Sequence, residues 1–125
     1  MSYSIRLYTK SFLHAFRGVL VAARTERSFR AQSMITLCVL ILMALLPLTK
    51  FEQVTLLLAM AAILVLELLN SAVERMVDLF KPRLDSTAGD VKDLMASAVL
   101  VASVFAAIIG VLIFWPYMKM VLTRV

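Results

Sequence analysis

Apolar residues fill three long stretches of this chain, and the charges fall between them. Residues 31–49 carry no charged side chain, nor do residues 53–66 or 94–118. A helix that crosses a bilayer needs about 20 apolar residues, within a range of about 17–25. The first and third stretches meet that length unaided. The second is short and crosses only if it runs on through Glu67. The pattern therefore predicts membrane helices over 31–49, 53–80 and 91–118. Pro82 is expected to end the second. Residues 81–90, with Pro82, Asp85-Ser86-Thr87 and Gly89, read as turn chemistry ahead of a helix start near Asp90. Residues 4–24 are patterned differently. With Ile5 at 0° on a helical wheel, Tyr8, Phe12, Phe16, Val19 and Ala23 stay within about 60° of it, while Arg6, Lys10, Arg17 and Arg24 gather near about 100–140°. That is an amphipathic helix, expected to lie in the membrane interface with its apolar face down. The predicted architecture is a single domain, 1–125, all-α, with three transmembrane helices and an N-terminal amphipathic surface helix.

One segment breaks the apolar logic. Val54 to Leu66 is almost wholly apolar, yet the same helix continues as Glu67-Leu68-Leu69-Asn70-Ser71-Ala72-Val73-Glu74-Arg75-Met76-Val77-Asp78. At about 100° per residue, with Glu67 at 0°, Asn70 falls near −60°, Ser71 near +40°, Glu74 near −20° and Asp78 near +20°. All five share one face, in a stripe about 16 Å long at ~1.5 Å per residue. Glu67 is placed at membrane depth and Asp78 near the headgroups. A carboxylate in hydrocarbon costs roughly 2.5–3.5 kcal/mol on insertion scales. Either the stripe is a polar seam joining helices, or it carries chemistry.

Composition strengthens the membrane reading. The 125-residue chain is 62% hydrophobic and only 17% charged. Its mean hydropathy is +0.94, above the soluble range. The single cysteine, Cys38, lies in an apolar run and implies no disulfide framework. The N-terminus carries basic residues throughout and no cleavable signal pattern. Ten of the 13 basic residues fall in 1–30 and in the segment from Arg75 to Lys92, against Lys50, Lys119 and Arg124 elsewhere. By the positive-inside rule the N-terminus and the second loop face the cytoplasm. The net charge of +5 then suits anionic headgroups or phosphates there and argues poorly for nucleic acid. Ala98, Ala102, Ala106 and Gly110 recur every four residues on the third span, a seam for close helix approach. Trp115 and Tyr117 mark the far interface.

The residues limit the chemistry. Gly18, Gly89 and Gly110 are the only glycines, so no Gly-rich loop cradles phosphates, and there is no metal-thiolate or nucleophile-elbow motif. What remains is acids and cations near the cytoplasmic face. Oxygen ligands suit Mg²⁺, which takes one or two carboxylates and completes its shell with water and phosphates. Glu74, with Asn70 and Glu26, could supply them. Glu26 could instead pair with a neighbouring arginine of its basic run. Lys92 could meet phosphates as a point charge, as could one or two cations of the surface helix. His14 has no visible partner and is expected to be solvated. Glu67 could accept a proton from a hydroxyl held in the bilayer. Together these parts suit phosphoryl transfer from a soluble nucleotide to a lipid alcohol.

The run from Glu67 to Asp78, followed by Lys92-Asp93 and preceded by Glu26 ahead of Phe29-Arg30, resembles the signature of the bacterial diacylglycerol kinase family, small integral membrane kinases unrelated to soluble ones. The resemblance extends from about Phe12 to Val111. It implies a membrane-embedded lipid kinase, a homotrimer with composite sites between subunits, MgATP as donor, and diacylglycerol as the first candidate substrate, with undecaprenol the alternative. It implies Glu67 as general base, and Glu67 with Ser71 beside it on the stripe are the candidates to meet the lipid. Glu26 and Glu74 correspond to metal ligands. Asn70, Asp78, Lys92 and Asp93 correspond to the other polar positions of the site, and with Glu26, Glu74 and the surface-helix cation Arg17 they make up the candidate nucleotide-binding set. The location implied is the bacterial inner membrane. Gln32 stands where some members have an acidic residue, and His14 where some have tyrosine. The sequence Glu26-Arg27-Ser28-Phe29-Arg30 leans toward the branch that includes undecaprenol kinases. A reading from another class is a non-enzymatic assembly subunit or a proton-conducting element. A proton path would want polar groups on both sides of Glu67, and Val54 to Leu66 offers only Thr55.

Overall fold

In the computed structural model of the protein, residues 2–125 are described, with residues 2, 3 and 81–85 described by backbone alone. The described residues are helical almost throughout, in the order α1 (Ser2–Thr25), α2 (Arg27–Leu45) and α3 (Lys50–Leu122). The third is not a straight rod. At 1.5 Å per residue a straight helix would part residues 52 and 117 by roughly 100 Å. Tyr117 Oη instead donates to Glu52 Oε2 at 2.7 Å, and Lys92 Nζ meets Asp78 Oδ1 at 2.6 Å. The chain therefore reverses between Asp78 and Lys92. Two antiparallel arms result, Lys50–Phe80 and Ser86–Leu122, and each is long and apolar enough to cross a membrane, as is α2. The protein is a multi-pass membrane protein.

The boundaries of the elements have local causes. α2 begins immediately after Glu26, whose extended backbone (φ −104°, ψ 110°) breaks the path from α1. The basic run of residues 24–30 is thus helical on both sides of one residue. Arg30 Nη1 donates to the carbonyls of Ala23 (3.3 Å) and Arg24 (2.9 Å), satisfying acceptors that the end of α1 leaves open. Phe29 is buried beside it. α2 stops at Leu45, short of the expected residue 49, because Leu46 precedes Pro47 and takes the extended conformation proline imposes on its predecessor. α3 starts at Lys50, ahead of the expected start at residue 53. Thr49 and Glu52 form a capping box: Thr49 Oγ1 accepts from the Glu52 amide at 3.2 Å, and Glu52 Oε2 accepts from the Thr49 amide at 2.9 Å. Residues 86–90, expected as a turn, are helical. Pro82, expected to end the second span, lies inside the helical run of α3 instead, so the helical backbone does not stop there.

The core is small. Met60, Ile63 and Ala106 pack together, with Val39, Ala59 and Ala102 against them. Two members of the small-residue seam, Ala102 and Ala106, thus meet the first arm, and Val39 brings in α2. Most large apolar side chains are exposed, among them Leu40, Leu58, Leu100 and Leu112. For a chain whose solvent is lipid, an outward apolar surface is the stable arrangement. At the far end Tyr117 does more than mark an interface, since it ties the second arm to the capping box, and Lys119 Nζ lies 5.6 Å from the Trp115 ring centroid.

Candidate active site

The face predicted from the 67–78 spacing exists, and burial falls along it from membrane depth outward. Glu67 is 2% exposed and Ser71 7%, Asn70 and Glu74 are half-buried, and Asp78 is exposed. Below Glu67 the same face continues through Ile63, Met60 and Leu56, all buried. These spacings of four, three and four keep one side of the first arm turned inward.

Glu67 is held from a distant part of the chain. Ser28 Oγ, in the first turn of α2, donates to Glu67 Oε1 at 2.6 Å. A contact of this length is a close hydroxyl–carboxyl hydrogen bond. Ser71 Oγ donates to the Glu67 carbonyl oxygen at 3.0 Å, so this hydroxyl is spent on its own helix. Asn70 Oδ1 is buried and accepts no hydrogen bond, the single side-chain atom of that kind among the described residues. A buried acceptor without a donor costs about 1–3 kcal/mol, so this position calls for a donor beyond the described residues.

One turn further out, Arg75 gathers the α1–α2 junction. Its Nη2 donates to Thr25 Oγ1 at 2.7 Å and reaches Glu26 Oε1 at 3.3 Å. Glu26 therefore pairs across 49 residues with the second span, not with a neighbouring arginine. It lies beside the arm that carries Glu74. Asp78 and Lys92 close the outer end with their 2.6 Å ion pair. Glu74 is near enough to act on Lys92 through its charge. Lys92 is thus engaged by a carboxylate, although an ammonium has three donors and keeps capacity for another acceptor. Arg17 and Asp93 are exposed, and no hydrogen bond or ion pair links their side chains to this group. His14 is likewise exposed, as expected.

Two cavities flank this face. A cleft of about 330 Å³ separates α1 from the first arm and is bordered by Gly18, Ala22, Leu68, Ser71 and Arg75. An apolar groove of about 520 Å³ begins at Gln32, Ile63 and Ser103 and ends at Trp115 and Met118. It starts one helical turn below Glu67. No three His, Cys, Asp or Glu side chains among the described residues converge to enclose a metal ion. Mg²⁺ does not require such an enclosure, because one or two carboxylates with water and phosphate oxygens suffice. The carboxylates of Glu26 and Glu74 and the vacant acceptor Asn70 Oδ1 are donors of the right chemistry.

A buried carboxylate accepting from a hydroxyl, with Asn70, Glu74 and the Asp78–Lys92 pair strung outward from it, is the geometry of the face. Comparison with known proteins decides the family. A profile described as prokaryotic diacylglycerol kinase matches residues 13–114. The chain belongs to that family. Diacylglycerol kinase relatives include those of Synechocystis, 37% identical over 101 residues (80% of this chain and 58% of the relative), and Escherichia coli K12, 26% identical over 104 residues (83% and 85%). An undecaprenol kinase of Bacillus subtilis is 41% identical over 109 residues, 87% of this chain and 89% of the relative. This prokaryotic diacylglycerol kinase family member is therefore an enzyme, a lipid kinase, which sets aside the assembly or proton-conducting subunit. Kinase chemistry implies ATP as phosphoryl donor.

Ser28, Thr25 and Arg75 were not singled out by the sequence reading. Ser28 sits inside a run of arginines, where a serine on the sequence alone looks like a solvated helix start.

Proposed function

We propose that the protein transfers the γ-phosphoryl group of ATP, in the presence of Mg²⁺, to the hydroxyl of a membrane lipid alcohol, with Glu67 as general base. Glu67 carries the reading: a carboxylate almost without solvent exposure that already accepts a hydroxyl hydrogen bond at 2.6 Å. In the transfer, a Glu67 oxygen takes the lipid hydroxyl proton while the lipid oxygen bonds to the γ-phosphorus. The bond from that phosphorus to the β–γ bridging oxygen breaks, and ADP leaves with the electron pair. Ser71 lines the lipid end. Glu26 and Glu74 hold the metal, which neutralises phosphate charge when bound. Asn70 Oδ1 accepts a donor from the nucleotide or from a neighbouring subunit. Lys92, with Asp78 and Asp93 beside it, and Arg17 on α1 face the phosphates. The apolar groove one turn below Glu67 suits a lipid chain whose head lies at the carboxylate.

Undecaprenol is the lipid that the 41% identical relative supports. Diacylglycerol, which the sequence alone puts first, is supported by the Synechocystis and E. coli kinases. The purified protein, given MgATP and each alcohol separately in matched bilayers, is expected to phosphorylate undecaprenol with the higher kcat/KM. A higher value on diacylglycerol reverses that choice, and no phosphorylated lipid from either ends the reading.

The working unit is a homotrimer in the bacterial inner membrane, with the N-terminus in the cytoplasm and α1 lying amphipathically on that face. Ten of 13 basic residues on one side support the orientation. The small core and the unpartnered Asn70 Oδ1 support neighbours completing the site. Native mass spectrometry from mild detergent is expected to give a trimer as the active species, and a monomer with full activity would refute it.

A further inference from the structure

The proposed base is not free to turn. We infer that Ser28 is a positioning residue for Glu67: its hydroxyl fixes one carboxylate oxygen so that the other is presented to the lipid hydroxyl. The inference rests on the reading of Glu67 as general base and adds a residue from a different helix to it.

Three observations lead there. First, the contact is specific. Ser28 Oγ donates to Glu67 Oε1 at 2.6 Å, and it is the side-chain hydrogen bond that Glu67 receives among the described residues. A carboxylate has two oxygens, each able to accept. Occupying one leaves the other as the proton acceptor and fixes its direction. Second, Glu67 is 2% exposed, so water cannot substitute for the hydroxyl if it is removed. Third, Ser28 is itself rigidly placed. It follows Glu26 and Arg27 in the first turn of α2, between the extended residue Glu26 and the buried Phe29. Arg30 locks that turn onto the end of α1, and Arg75 locks the junction onto the first arm through Thr25 and Glu26. The hydroxyl thus reports the position of α1 and α2 directly to the base.

Ser71, although closer in sequence, does not serve this purpose, because its hydroxyl donates to the Glu67 main-chain oxygen. An idle seam would predict that Ser28 matters for stability alone. A positioning role predicts an effect on turnover that vanishes when the carboxylate is absent, since groups acting as one unit are non-additive.

The test compares Ser28→Ala, Ser28→Thr, Glu67→Gln and the double variant Ser28→Ala/Glu67→Gln as full-length protein in bilayers, with MgATP and the lipid alcohol that the wild type uses best. Ser28→Ala is expected to lower kcat about 10- to 100-fold, the weight of a hydrogen bond to a charged group, with KM for MgATP within about twofold of wild type. Ser28→Thr, which keeps the hydroxyl, is expected to recover most of the rate. Adding Ser28→Ala to Glu67→Gln is expected to cost nothing further. Wild-type kcat in Ser28→Ala with Glu67→Gln inactive overturns the positioning role and leaves the base intact. Full turnover in Glu67→Gln overturns the base, and the positioning role with it. A Ser28→Thr as slow as Ser28→Ala, or an equal loss from Ser28→Ala in both backgrounds, also overturns the inference. Should Ser28→Ala fail to fold, Ser28→Cys, a weak donor of similar size, is expected to be slower than Ser28→Thr, and equal rates for the two refute the role.

Discussion

Glu67→Gln is expected to fold, insert and assemble while losing about 10²–10⁴-fold in turnover, the range that a general base contributes. MgATP affinity should be largely retained, because the proposed nucleotide end of the site lies about two to three turns further along the arm, at Glu74 and Asp78, with Lys92 of the second arm paired to Asp78. Glutamine preserves the shape of the side chain, and its carbonyl oxygen can still accept from Ser28 Oγ. What it cannot do is take the hydroxyl proton. Stability should hold or rise, since an uncharged amide at 2% exposure avoids the desolvation that a buried carboxylate suffers. A seam residue would give the opposite pattern, with weakened assembly and normal turnover per assembled unit. Measuring lipid phosphorylation and thermal unfolding on one preparation separates the two outcomes. Near-normal phosphorylation by well-folded Glu67→Gln removes Glu67 from the role of base.

The acidic face was legible because a helix converts spacing into direction. Glu67, Ser71, Glu74 and Asp78 needed only about 100° per residue and the length of the flanking apolar run. The three spans were legible for the same reason, as gaps in charge. What pairs across the chain was not. Ser28 reaches Glu67 over 39 residues and Arg75 reaches Glu26 over 49, and both depend on how α1 turns into α2 at one extended residue. Nothing in the local run of arginines encodes that packing. Other misses had signals. Thr49 and Glu52 carry the S/T-x-x-E spacing of a capping box, and Leu46 ahead of Pro47 marks an early end to α2. At 86–90 the error was to give Gly89 the weight of a breaker. A glycine inside a helix costs only about 1 kcal/mol relative to alanine, and the long helical run absorbs it. The single chain also leaves Arg17 and Asp93 apart from the other site residues, so their place in the site depends on the proposed neighbouring subunit or nucleotide.

Glu26→Gln and Glu74→Gln are expected to raise the Mg²⁺ concentration needed for half-maximal turnover by at least about tenfold each. Losing even an outer-shell partner of a metal ligand typically lowers metal affinity 10–100-fold, and a direct oxygen ligand counts for no less. The carboxamide keeps the volume but removes the charge that offsets the cation. The two variants differ in one further respect. Glu26 is ion-paired with Arg75 at 3.3 Å, and the arginine is half exposed, so that pair contributes at most about 1 kcal/mol to stability after solvent screening. Glu26→Gln should therefore show a small stability loss beside its metal defect. Glu74→Gln should show the metal defect with stability close to wild type. Arg75→Gln separates the two causes for Glu26: it breaks the same ion pair but leaves both carboxylates, so it should reproduce the stability loss and keep a near-normal Mg²⁺ requirement. Magnesium titrations of lipid phosphorylation, run beside thermal unfolding of the same samples, check all three. An unchanged Mg²⁺ requirement with full turnover in both glutamine variants would show that the metal is held elsewhere.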